Sequence, residues 1–243
     1  MDRIRVFPTQ SDLYKGAADY WKEVANLAIS QKGSFHVALS GGNTPKGLYK
    51  LLANTPYINE IDWQKVYIYF GDERYVPMDD KESNYRMARE SFLDQIPIPP
   101  YQIFRIPTED PNPQVSADSY AELLKNYLPD QSKFDLILLG VGSDGHTASL
   151  FPHTSILEVR DRLVAAVYVE KLNTWRISIT YPLIEQAHQV FFLASGIGKS
   201  LVIANILKNL EGKDYPIQLL LQAKEEVVWY LDKQAAQAWE NRR

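Results

Sequence analysis

Cysteine is absent from the 243 residues. That excludes disulfides, thiol catalysis and thiolate-bound zinc, and it fits a reducing compartment. No stretch approaches the roughly 18 apolar residues that a bilayer span requires. The opening Met1-Asp2-Arg3-Ile4-Arg5 lacks the apolar run of a secretory leader. The cytoplasm is the expected compartment, with no membrane partner. Basic charge is not in excess: 26 Lys and Arg stand against 30 Asp and Glu, for a net charge of −4. A nucleic-acid groove wants a basic face, so no nucleic-acid partner is expected. A small anionic ligand remains possible, because a few local cations make a positive pocket on an acidic protein. No serine sits in G-x-S-x-G, so an acyl-enzyme is not indicated. His146 and His153 lack a paired helical spacing, and no metal pattern is completed.

What is present is an alternation of strand-like and helix-like stretches without repeats or low-complexity segments. It predicts an α/β fold with a mostly parallel sheet and helices on both faces. Strands are expected at Phe35 to Leu39, Val66 to Phe70, Phe134 to Leu139, Leu163 to Val169, Trp175 to Thr180, Val190 to Ala194 and Val227 to Leu231, with a short one near Ile103. Ser11 is the expected N-cap of a first helix that Gly33 closes, and Ser83 caps another. The proline-rich stretch from Pro97 to Pro113 is the only candidate boundary. Apolar strands continue on both sides of it, so residues 1–243 are read as one domain.

Three polar, glycine-bearing segments follow predicted strands, and open parallel sheets bind ligands at strand carboxyl ends. In Ser40-Gly41-Gly42-Asn43-Thr44-Pro45-Lys46, Thr44 is the expected cap and Pro45 the first helical residue. The free N–H groups of Gly42, Asn43 and Thr44 then face an anion such as phosphate. In Gly71-Asp72-Glu73-Arg74, Arg74 offers a planar fork to a phosphate or carboxylate, and Asp72 is expected to hold that fork. Gly140-Val141-Gly142-Ser143-Asp144-Gly145-His146-Thr147 matches G-x-G-x-x-G. Asp144 would oppose a pyrophosphate there, and Pro152 leaves little room for the long helix of a dinucleotide site. The segment reads instead as a histidine base with a carboxylate to orient it. Arg176 and Lys199 are further candidate cations at strand ends. Lys199-Ser200 is not a P-loop, since the first glycine would fall at Leu193.

Together these segments resemble the 6-phosphogluconolactonase family. The resemblance rests on Ser40 to Pro45, Gly71 to Arg74, Ser83-Asn84, Gly140 to Pro152, Arg176 to Thr180, Gly196 to Lys199 and Trp229 to Asp232 with Ala235-Ala236. Its most specific part is Asp144 to Pro152. It implies a modified Rossmann-like sheet and hydrolysis of 6-phospho-D-glucono-1,5-lactone in the oxidative pentose phosphate pathway. It also implies no cofactor and a monomer. It places His146 at the catalytic position beside Asp144, and Arg74, Arg176 and Lys199 around the substrate. Ser143 departs from the family's usual Met or Leu, and the stretch before Arg176 lacks the family's prolines. Two rivals are a glucosamine-6-phosphate deaminase or isomerase and a non-catalytic sugar-phosphate sensor. The deaminase family has a Glu where this chain has Phe151. With an unperturbed ring, activity should fall as pH drops through about 6.5.

Overall fold

The structure is a computed structural model that describes residues 3–129, 133–224 and 227–241. The chain begins with β1 (Ile4–Phe7), α1 (Gln10–Lys32), β2 (Phe35–Leu39), α2 (Asn43–Leu52), α3 (Tyr57–Glu60), β3 (Val66–Phe70) and β4 (Asp72–Arg74). There follow α4 (Asn84–Ala88), continued by one wide turn at Arg89–Leu93, then β5 (Ile103–Phe104), α5 (Pro113–Tyr127), β6 (Leu136–Leu139), β7 (Val164–Val169) and β8 (Thr174–Ile179). The last part holds α6 (Tyr181–Gln186), β9 (Gln189–Ala194), α7 (Ser200–Lys208), α8 (Pro216–Ala223), β10 (Val227–Asp232) and α9 (Lys233–Glu240).

Seven strands form one parallel sheet in the order β1-β10-β9-β6-β2-β3-β5. Every residue of β2 and β6 is buried, as expected of a parallel sheet covered on both faces. The α1 side chain of Trp21 meets Phe35 at 5.8 Å on one face. Tyr127 at the end of α5 meets Phe104 at 4.7 Å on the other, where His36, Tyr67 and Tyr69 also stack. Trp21 and Trp63 are core residues, and Trp239 is partly buried against the core.

From β2 the chain builds outward through β3 and β5, then returns to β6 on the opposite side of β2 and continues through β9 and β10. The order therefore reverses between β2 and β6, and their carboxyl ends splay into a crevice. Two buried tyrosines finish the ladder at this rim. Tyr49 donates to the Ser40 carbonyl at 2.8 Å and accepts from its N–H, and Tyr120 does the same for Phe70. These hydroxyls satisfy backbone groups that would otherwise be buried unpaired.

The charged run after β3 is a strand, where a loop was expected. β4 leaves the main sheet at Gly71 and pairs antiparallel with β8, so a second sheet forms in the order β4-β8-β7. Two caps also differ from expectation. Thr9, in place of Ser11, caps α1 and accepts from the Asp12 N–H at 3.1 Å. Helix α2 begins at Asn43 with Gly42 at φ 101° in the cap position, so Thr44 lies within the helix and caps nothing.

Candidate active site

A cleft of about 330 Å³ opens at the reversal between β2 and β6. Ser40, Gly41 and Gly42 line it from the end of β2, and Gly140 to Ser143 with His146 to Ser149 from the end of β6. Asp72 and Arg74 enter from β4, Arg176 from β8, and Lys199 from the turn after β9. Four of the sequence-predicted groups, His146, Arg74, Arg176 and Lys199, thus share one wall-to-wall space although 125 positions of chain separate Arg74 from Lys199.

The loop after β6 folds on itself. The Gly142 N–H donates to the His146 carbonyl at 2.8 Å, and Thr147 Oγ1 donates to the Gly140 carbonyl at 2.9 Å. A Cβ at Gly142 would stand 2.0 Å from His146 Nδ1 and 2.7 Å from Asp144 Oδ1. Only glycine allows the ring and the carboxylate to fold over the backbone there. Asp144 Oδ1 lies 2.5 Å from His146 Nδ1. The other carboxylate oxygen accepts from Lys171 Nζ, contributed by the tip of the β7–β8 hairpin. Phe151 stacks against the imidazole with ring centres 3.9 Å apart.

Burial pushes the His146 imidazole down to about 4; Lys199, Arg176 and Arg74 push the same way, and Asp72 opposes them. Asp144 also favours the imidazolium, but its charge is shared with Lys171. The ring is therefore neutral near pH 7. The value of about 6.5 applies to an unperturbed ring, and this environment shifts the expected acid limb below it. With Nδ1–H given to Asp144, the lone pair sits on Nε2.

The cations are poorly neutralised. Arg74 and Arg176 are direct register partners on β4 and β8. Arg176 is buried, and its Nε has no hydrogen-bond partner among the described residues. Burial, with Arg74 adding to it, pushes Arg176 down from its ordinary value, and burial lowers Lys199 as well. Asp72, Glu73 and Glu82 oppose that shift, but a buried guanidinium beside another, with its Nε unpartnered among the described residues, is a site that favours an anion.

Asp72 does something other than expected. Its carboxylate accepts from Ser149 Oγ at 2.7 Å, and the Asn84 amide reaches Oδ1 at 3.4 Å and the Asp72 carbonyl at 2.9 Å. It ties β4 to the histidine loop and leaves the Arg74 fork alone; Arg74 donates instead to the Glu82 carbonyl at 2.5 Å. Glu73 is the buried organiser of the β4–α4 turn. It accepts from the N–H groups of Arg74, Asn84 and Tyr85 and from Ser83 Oγ. Burial raises its carboxyl pKa against these bonds.

Asn43 and Thr44 do not line the His146 cleft. They line an adjoining hollow of about 280 Å³, with Ser195 at its edge. Gly41, Gly42, Gly140, Val141 and Lys199 line both spaces. No side chain caps the start of α2. Lys199 is set by Asp232, which accepts from the Gly196 N–H at 3.0 Å and from Ser195 Oγ at 2.5 Å. Among the described residues, no group of three or more His, Asp or Glu gathers as a metal site would require.

Sequence reasoning left out Ser149, Asn84 and Lys171. Ser149 and Asn84 lie inside the quoted segments Gly140 to Pro152 and Ser83-Asn84, so their polar character there was a usable signal. Lys171 carries none, since only the hairpin brings it to Asp144.

A family model described as glucosamine-6-phosphate isomerases/6-phosphogluconolactonase matches residues 8–229. A 6-phosphogluconolactonase from Nostoc is 39% identical, over 96% of each chain. One from Synechocystis is 41% identical, over 86% of this chain and 87% of that one. The solved structure of 6-phosphogluconolactonase from Trypanosoma brucei superimposes with a TM-score of 0.86 at 30% identity, over 98% of each chain.

Proposed function

The chain belongs to the glucosamine-6-phosphate isomerase/6-phosphogluconolactonase family, and on that premise we propose that it hydrolyses 6-phospho-D-glucono-1,5-lactone to 6-phospho-D-gluconate with His146 as the base. This is a carboxylic ester hydrolase reaction on a sugar phosphate, the second step of the oxidative pentose phosphate pathway. The observation that carries the histidine role is a partly buried imidazole, held neutral and tied to Asp144, in the same cleft as Arg74, Arg176 and Lys199.

The two connected hollows suit a ligand with two parts. The phosphate lies towards Lys199, Arg176 and the uncapped start of α2, where Gly42, Asn43 and Thr44 offer N–H groups. That anchor holds the lactone ring beneath the imidazole. His146 Nε2 takes a proton from water as its oxygen bonds to C1. Arg74 faces the oxyanion that forms. The C1–ring oxygen bond then breaks, and the imidazolium returns the proton to the ring oxygen. The new carboxylic acid ionises to water. Asp144 keeps the tautomer and stabilises the transient imidazolium. Asp72 supports the site through Ser149 and Asn84.

Phe151 argues against the deaminase reading, since its ring covers the imidazole where that family carries an acid. Retention of both Asp144 and His146 argues against a mere sensor. The proposal further takes residues 1–243 as one domain acting as a cytoplasmic monomer. The single domain is supported by a buried apolar cluster that runs from Leu13 to Ala236. No helix among the described residues is long and apolar enough to cross a membrane.

Replacing His146 by Ala should lower kcat for the lactone by roughly 10²–10⁴-fold after correction for spontaneous opening, the usual worth of general-base catalysis. A loss below tenfold in a folded variant would remove His146 from the role.

A further inference from the structure

Lys171 stands outside the cleft wall, half exposed, on the turn Glu170–Leu172 that joins β7 to β8. Asn173 follows in the left-handed conformation, φ 49°, which turns the hairpin back towards Arg176. The hairpin tip thereby leans over the histidine loop. Leu172 reaches the cleft, and Lys171 Nζ lies 4.7 Å over the Phe151 ring. The same ammonium pairs with Asp144 Oδ2, while Asp144 Oδ1 holds the imidazole. Phe151 in turn stacks on that imidazole. Two contacts, one ionic and one cation–π, thus converge from one side chain on both neighbours of His146.

We propose that Lys171 is a positioning residue for the lactonase reaction, clamping Asp144 and Phe151 around His146 from the β7–β8 hairpin. The proposal rests on His146 as the base. Without the clamp, Asp144 has one oxygen unpaired and is free to turn about its side-chain bonds. Its full charge then falls on the imidazole and favours the protonated ring. With the clamp, one oxygen is spent on the ammonium, and the ring keeps a fixed tautomer and a free Nε2.

Several other charges face the ring. Asp144 comes from its own loop, Asp72 and Arg74 from β4, Arg176 from β8 and Lys199 from the turn after β9. Lys171 differs from these cations in acting through the carboxylate and not across the cleft. Its loss should therefore alter the ring's proton affinity while leaving the anion contacts in place.

The test compares the full-length protein with Lys171→Met and Lys171→Arg by two readings. One is the titration of the His146 ring proton by NMR, assigned with His146→Asn. The other is the acid limb of kcat for the lactone. In Lys171→Met both midpoints should rise by roughly half a pH unit or more, the size expected for losing one nearby unit charge at a partly wet site. KM should stay within about twofold, and Lys171→Arg should restore both midpoints. An unmoved or lowered ring midpoint overturns the proposal. So does a rise in KM with unmoved midpoints, which would make Lys171 a substrate contact. A ring midpoint that rises while the kcat limb stays put keeps the clamp on the ring but removes His146 as the base, which separates the two failures.

Discussion

His146 is balanced between charges of both signs. Burial and three cleft cations push the ring down to about 4, and Asp72 pulls the other way. A base so weak is fully available at pH 7 but has little thirst for a proton, and general-base catalysis is best when the pKa is near the working pH. The substrate itself offers the remedy. A phosphate brought against Lys199, Arg176 and Arg74 would cancel the charges that push the imidazole down. The ring should therefore titrate near 4 in the free enzyme and distinctly higher when 6-phosphogluconate saturates the site, which NMR of the ring proton can measure directly. A midpoint unchanged by ligand would mean that the phosphate sits too far from these cations to reach His146.

Element termini decide where the site is rigid. Asp232 ends β10 and starts α9, accepting from the Ala235 N–H at 2.7 Å while its other contacts hold Ser195 and Gly196. One buried carboxylate thus caps a helix and fixes the turn that carries Lys199. Asp232→Ala should cost about 1–2 kcal/mol for the lost cap, read as a lower urea midpoint. It should also raise KM more than it lowers kcat, because Lys199 loses its set position while the histidine loop is untouched. Equal losses in kcat and KM terms would show that the Lys199 turn is held by other contacts. At this scale the sequence was informative where local chemistry rules: Gly33 closing α1, Ser83 capping α4 and the apolar runs of β2, β3 and β6 are all found. It misled where tertiary pairing rules. Asp72 to Arg74 is charged and short, and becomes a strand only because β8 is there to pair with it.

The whole molecule is acidic, with a net charge of −4, yet its functional cleft gathers Arg74, Arg176 and Lys199. Such local focusing draws an anionic substrate inward against the average charge. The attraction is screened within about 10 Å at 0.1 M salt. Raising ionic strength from about 0.01 to 0.3 M should therefore lower kcat/KM several-fold and leave kcat nearly constant, measured with a salt that does not itself occupy the phosphate site. A kcat that falls in parallel would point to an effect on the chemistry instead of on capture.

By itself the sequence determined the alternating α/β plan and the rim segments, because hydrophobic period and glycine chemistry are local properties. It also supplied the histidine with its carboxylate, since Asp144 and His146 lie two positions apart in one loop. Only the tertiary structure decided which distant charges meet them. It gave Asp72 to Ser149 and Asn84 instead of to Arg74, moved Asn43 and Thr44 into a neighbouring hollow, and brought Lys171 onto Asp144. The reason is physical: these contacts depend on strand order and on a hairpin crossing between two sheets, and no local periodicity encodes either.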